Sequence, residues 1–360
     1  MPRAEVPWRR PGFQVRGDAS LSRVEPGEVL VGLGDERRHG GAVVLNHKPG
    51  TYGAFRSVTE YVCSDAAPVE AWREKVSAEA LHVVVEDASL DTCYGLLAFL
   101  ERMEPGSTGV PLSGPWVEYV TAWEQGGTPG AGPLEQSVGV LLGQVSVSRE
   151  ASESLRAGLD FLHALASREA DPLRVDFSRG APHLEEAQRR VVAERARFEA
   201  LRKQGDERTL WLPRADGAGK VPVRALVMTY TERLGLLGRL ARASGFGLTA
   251  FYCEAFAGTG GDMVVATDPS LGVTLRELWE ALERLEDERW GPARPRSHPR
   301  RIKSYAHRTD GPDEPWWDDL GRYSLVAAPK AVTVDGARVL GSRVGWDEVK
   351  EMLSILYEMV

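Results

Sequence analysis

The sequence predicts an α/β protein of two lobes: a first lobe built on a mainly parallel sheet and a smaller α/β second lobe. Three observations carry that expectation. Residues 81–85, LHVVV, form a continuous apolar run of the kind found in strands covered on both faces. The run passes through a polar turn, EDASLD, into TCYGLLAFLERM, so strand, turn and helix follow one another directly. Strands and helices alternate again past Gly205, and at 360 residues the chain exceeds the usual size of one core. The expected division is 1–205 and 206–360.

Taken in order, GFQV, EVLVGL and AVVLNH read as short strands between Gly-rich breaks. VEAWREKVSAEAL sets Val69, Trp72, Val76 and Ala80 at helical spacing and predicts a helix leading into LHVVV. WVEYVTAWEQG places Trp116, Tyr119, Val120 and Trp123 on a helical packing stripe. Residues 150–168 and 184–204 have helix composition, and the second, mostly charged stretch suits a helix linking the lobes.

Beyond it come the strand LWLP, a hairpin at DGAGK, the strand VRALVMTY, the helix ERLGLLGRLARA and the strands LTAFYCEAF and DMVVAT. The helix LRELWEALERLEDERW follows, then a Pro-rich linker, the strands YSLVAAP and AVTVDG joined tightly, and the amphipathic helix WDEVKEMLSILYEM.

Composition narrows the function classes. Hydrophobic residues at 42% and charged residues at 27% are the balance of a folded globular chain. A net charge of −8 supplies no overall positive field for nucleic acid or anionic lipid. Residues 294–308 carry Arg294, Arg296, Arg300, Arg301, Lys303 and Arg308, but Asp310, Asp313, Glu314, Asp318 and Asp319 follow at once. Mutual neutralisation is the expectation there, and no nucleic-acid partner.

Cys63, Cys93 and Cys253 form no CxxC pair, which fits a reducing compartment and thiols that act as small apolar side chains. No apolar run approaches the ~20 residues that span a bilayer, so a cytoplasmic protein without a membrane partner is expected.

Two loops concentrate chemistry. Glu86, Asp87 and Asp91 follow the LHVVV strand, where oxygen ligands could meet a hard divalent cation. Capping of the next helix is the competing expectation for Asp91. In NHKPGTYGAFRS, His47, Lys48, Tyr52 and Arg56 surround two glycines, a composition suited to a phosphate or carboxylate or, equally, to a solvated turn. If AVVLNH and LHVVV run parallel, both loops meet at one sheet edge.

The block VVVEDASLDTCYGLLAFL resembles the first motif of the DHH phosphoesterase superfamily, a strand ending in His-x-x-Pro-Asp-x-Asp and followed by a small-residue helix. In that resemblance Asp91 takes the place of the last aspartate and Gly95 lies in the helix. Val85 stands in place of the histidine and Ser89 in place of the first aspartate, and no Asp-His-His triplet occurs. AGTGGDMVVAT is the nearest approach to the glycine-histidine signature of the smaller lobe.

The resemblance implies metal-dependent hydrolysis of a phosphodiester or a phosphorylated small molecule. Asp87 and Asp91 would hold a divalent metal (Mn or Mg), Glu86 or His47 would transfer a proton, and Lys48, Tyr52 and Arg56 would bind substrate. The alternative is a catalytically inactive phosphoesterase-like binding or assembly protein in a bacterial multi-protein system. Its protein contacts would come from the Arg-rich linker or from Trp316 and Trp317.

Overall fold

The computed structural model describes residues 6–17, 24–32, 41–46, 55–77, 80–85, 87–127, 129–130, 132–145, 150–177, 184–231, 235–253, 262–293, 316–318, 325–327, 332–334, 337–339 and 342–358. The chain divides into two compact units, Met1–Val192 and Ala193–Val360. The division falls inside the helix Leu184–Arg202, upstream of the boundary at 205 expected from the change of pattern.

Among the described residues the first unit holds four short strands, β1 (Gln14–Gly17), β2 (Val29–Val31), β3 (Val43–Leu45) and β4 (His82–Val85). Their spatial order is β1-β4-β2-β3, and every pairing is parallel. The LHVVV run therefore supplies an interior strand, with Val84 paired to Arg16 on one side and Leu30 on the other. Val83, Val84 and Val85 are buried, so the strand has no polar face to alternate with.

Around this sheet lie α1 (Val58–Cys63), α2 (Val69–Lys75), α3 (Leu90–Met103), α4 (Pro115–Glu124), α5 (Val138–Val145) and α6 (Ala151–Ala166). Every residue of α3 from Leu90 to Leu100 is buried, which makes it the axis of the unit. Glycine permits the closest approach to it: a Cβ at Gly158 of α6 would stand 2.7 Å from Sγ of Cys93. α2 stops at Lys75, short of the predicted span, because Val76 turns extended and Ser77 bridges Ala80.

The helix Leu184–Arg202, α7, leads into the second unit. Its six-stranded sheet comprises β5 (Asp206–Pro213), β6 (Lys220–Tyr230), β7 (Leu248–Cys253), β8 (Asp262–Thr267), β9 (Trp317–Asp318) and β10 (Leu325–Ala327). The order is β5-β6-β7-β8-β10-β9, with β6 and β7 parallel and every other neighbour antiparallel. The DGAGK hairpin joins β5 to β6 through Gly217 and Gly219, both at positive φ, while the Asp216 side chain accepts the Ala218 amide. β10 pairs with β8 and β9, whereas β11 (Val332–Val334) pairs with β12 (Ala337–Val339), so YSLVAAP and AVTVDG belong to different sheets.

Among the described residues the unit also holds three helices, α8 (Leu237–Ala243), α9 (Arg276–Trp290) and α10 (Trp346–Tyr357). Leu278 and Leu282 of α9 join Leu353 of α10 and Ala250 and Val265 of the sheet in one core. At its margin Glu286 of α9, 0% exposed, accepts from the indoles of Trp290 (2.9 Å) and Trp316 (3.1 Å) and from the Arg343 amide (3.1 Å). Ser342 and Val344 donate to the same carboxylate.

Trp316 is therefore a core residue and not a surface anchor, correcting the expectation that it offers a partner contact. The side chain of Trp317 and the basic stretch 294–308 lie outside what is described. Among the described residues no helix is long and apolar enough to cross a membrane.

Candidate functional site

Because the first sheet is parallel throughout, the C-terminal ends of β3 and β4 lie at the same edge. The chain leaves β3 through Asn46, fully buried, and returns at Ser57, also fully buried, to open α1. It leaves β4 towards Asp87 and the start of α3. Of the sequence-derived candidates, His47, Lys48, Tyr52 and Glu86 lie outside the described residues, while Arg56, Asp87 and Asp91 lie within them.

Asp91 is 3% exposed. Its Oδ2 accepts the Val58 amide and its Oδ1 the Thr59 amide, both at 2.8 Å. The carboxylate thus caps the N-terminus of α1, a helix to which it does not belong. The local cap of α3 is Ser89, whose Oγ accepts the Thr92 amide at 3.2 Å. Asp87 closes the turn before it, its Oδ1 accepting from the Ser89 amide at 3.0 Å and from the Thr92 hydroxyl at 3.3 Å.

At the other end of α1, the Arg102 guanidinium donates to the carbonyls of Cys63 at 2.7 Å and Ser64 at 3.0 Å. Asp91 and Arg102 both belong to α3 and stand about three turns apart, so they share one face of that helix. Gly95 lies between them. A Cβ there would come within 2.8 Å of Cγ1 of Val58, so the two helices approach as closely as their backbones allow.

This arrangement sets an anion at the positive end of α1 and a cation at its negative end. A helix of six residues has little stability of its own, so the clamp decides whether it forms. Sequence reasoning missed Arg102 and Ser57. The available signal was the spacing of Asp91, Gly95 and Arg102 on one helical face.

The loop that ends at α1 is tied down at this base. Ser57 Oγ accepts the Glu60 amide at 2.9 Å and lies 2.9 Å from the Thr121 hydroxyl of α4. Gln125 donates to the Arg56 carbonyl at 2.7 Å. The Arg56 guanidinium turns along the surface to Glu60 at 2.6 Å, and that hydrogen bond raises its pKa against a lesser cost of burial. Arg56 and Asp91 thus both attend the start of α1, one on its surface and one beneath it.

Burial pushes the Cys63 thiol up to about 12; Arg102 opposes that shift and Asp91 adds to it. Such a thiol stays protonated and does not serve as a nucleophile. Of the described candidate carboxylates, Asp91 faces the α1 amides, and Asp87 closes its own turn. Among the described residues no three His, Cys, Asp or Glu side chains converge in the manner of a metal site. No protein-family model, curated protein or solved structure matches the chain.

Proposed function

We propose that this chain is a non-catalytic binding or assembly protein that keeps a phosphoesterase-like α/β scaffold, with residues 46–57 as its contact segment. The observation that supports this reading is the commitment of both Asp91 oxygens to backbone amides of α1. A residue that the resemblance puts in the place of a metal-binding aspartate fastens a helix. The helix in turn fixes one end of the segment that carries His47, Lys48, Tyr52 and Arg56, while buried Asn46 fixes the other.

Binding loops held at both ends by a rigid scaffold are a common means of presenting side chains to a partner. Lys48, with His47 and Tyr52, suits an anionic group on that partner, whether an acidic peptide or a phosphate ester, while Arg56 is already paired with Glu60. The test is titration calorimetry with inorganic phosphate as the probe, on the wild type and on Lys48→Ala. Weak binding that Lys48→Ala abolishes at an unchanged melting temperature supports the reading; binding indifferent to Lys48 removes the segment from it.

The second reading, metal-dependent phosphoester hydrolysis, draws support from the shared edge of β3 and β4, which brings the two candidate loops to one side of the sheet. Its test is Mn²⁺-dependent cleavage of an activated aryl phosphodiester. Turnover lost in Asp87→Asn without loss of stability would favour hydrolysis over binding.

A further inference from the structure

We propose that Pro7–Phe13 is an acid-released strap, which closes an apolar slot in the first unit and lifts when His163 takes up a proton. The strap begins as a single tight turn, Pro7–Arg9, in which Trp8 is only 2% exposed. The Trp8 indole N–H donates to Asp160 of α6 at 3.0 Å, and Arg9 pairs with the same carboxylate at 2.8 Å. Arg10 pairs with Glu104 at 2.9 Å, and Arg156 donates to the Phe13 carbonyl at 3.0 Å. Beneath lies the slot, lined by Pro7 and Phe13 from the strap and by Leu81, Phe99, Leu100 and Met103 from the body.

Two of these ties are exposed ion pairs, each of small worth. The buried tie is Trp8, and its neighbour is His163, one turn along α6 from Asp160. The two rings meet edge to face, with centroids 5.1 Å apart and planes at 77°. His163 is half-buried there, and burial disfavours its charged form. Burial lowers the pKa below the ordinary 6.5; a hydrogen bond to the Thr108 backbone and the charge of Asp160 oppose that shift, and Arg9 and Arg168 add to it.

The sign follows from linkage. With the strap down, His163 binds a proton less readily than it does in open solvent, so the lifted state gains protons as the pH falls. The part of the closing energy that is linked to His163 is whole above the ordinary value of 6.5 and is lost progressively below it. Release frees the N-terminal segment and uncovers Phe99, Leu100 and Met103 in the same step.

The experiment is ¹⁹F NMR of the full chain labelled with 5-fluorotryptophan, the Trp8 resonance being assigned with Trp8→Phe. Between about pH 7.5 and about pH 5.5 that resonance should move towards the position of a solvated indole in the wild type, and should stay in place in His163→Phe, which keeps a ring but takes no proton. In Asp160→Ala it should already be displaced at about pH 7.5. A resonance unmoved by acid in the wild type, an unaltered pH response in His163→Phe, or a buried Trp8 in Asp160→Ala overturns the proposal.

Discussion

Asp91 and Arg102 grip opposite ends of α1 from a single face of α3, the carboxylate on its first amides and the guanidinium on its last carbonyls. Asp91→Asn replaces one oxygen with an amide that must face an N–H donor, inside a site closed to water. The expected cost is about 2–3 kcal/mol, read as a lowered urea midpoint at unchanged slope. An unchanged midpoint would contradict the clamp.

Gly95→Ala tests the same contact from its steric side. The new methyl group meets Cγ1 of Val58 at 2.8 Å, and the helices must separate to admit it. The loss should be about 1–3 kcal/mol, and Val58→Ala in the same chain should restore part of it. Additive losses in the double variant would place the strain elsewhere.

In the second unit the test falls on Glu286. Replacement by alanine strands the indole N–H groups of Trp290 and Trp316 and the Arg343 amide, for a loss of about 3–5 kcal/mol. The near-ultraviolet circular dichroism of the tryptophans should weaken with it. Full retention of signal and stability would mean that the glutamate is dispensable.

Glu101 gives a pH dependence of the same sense as that of His163, in a more acid range. Burial raises its pKa, but the amides of Gly106, Thr108 and Gly109 and the Thr108 hydroxyl together outweigh that and leave it below the ordinary 4.5. A carboxylate held down in this way contributes stability above its ordinary value and loses it as the pH falls further. Glu101→Gln should flatten the decline in melting temperature between about pH 5 and about pH 3. An acid limb as steep as that of the wild type would rule this out.

The fold was legible where one pattern had one explanation. LHVVV became an interior parallel strand, and the helices beginning at Leu90, Pro115, Arg276 and Trp346 follow their stripes. Residues 138–145, VGVLLGQV, are apolar almost throughout, and their helix α5 has no period to announce it. At the candidate site, Ser89 and Asp91 are both good capping residues two positions apart, and local pattern cannot assign them. The choice was made by α1, whose amides come from Val58 and Thr59, far upstream in the chain. Trp316 was misread for a similar reason: its partner, Glu286, lies across a long stretch of sequence and gives no local sign.

Glu286 also bears on what happens if the backbone is cut. It joins the end of α9 to Trp316 and to residues 342–344, on either side of the basic and acidic stretch between 294 and 315. A protease that severs that stretch leaves two pieces, and the later one still contributes β9, β10 and α10 to the sheet and core of its unit. The nicked protein should run as one species on a sizing column and as two bands after denaturation, and the separately expressed pieces should reassemble on mixing.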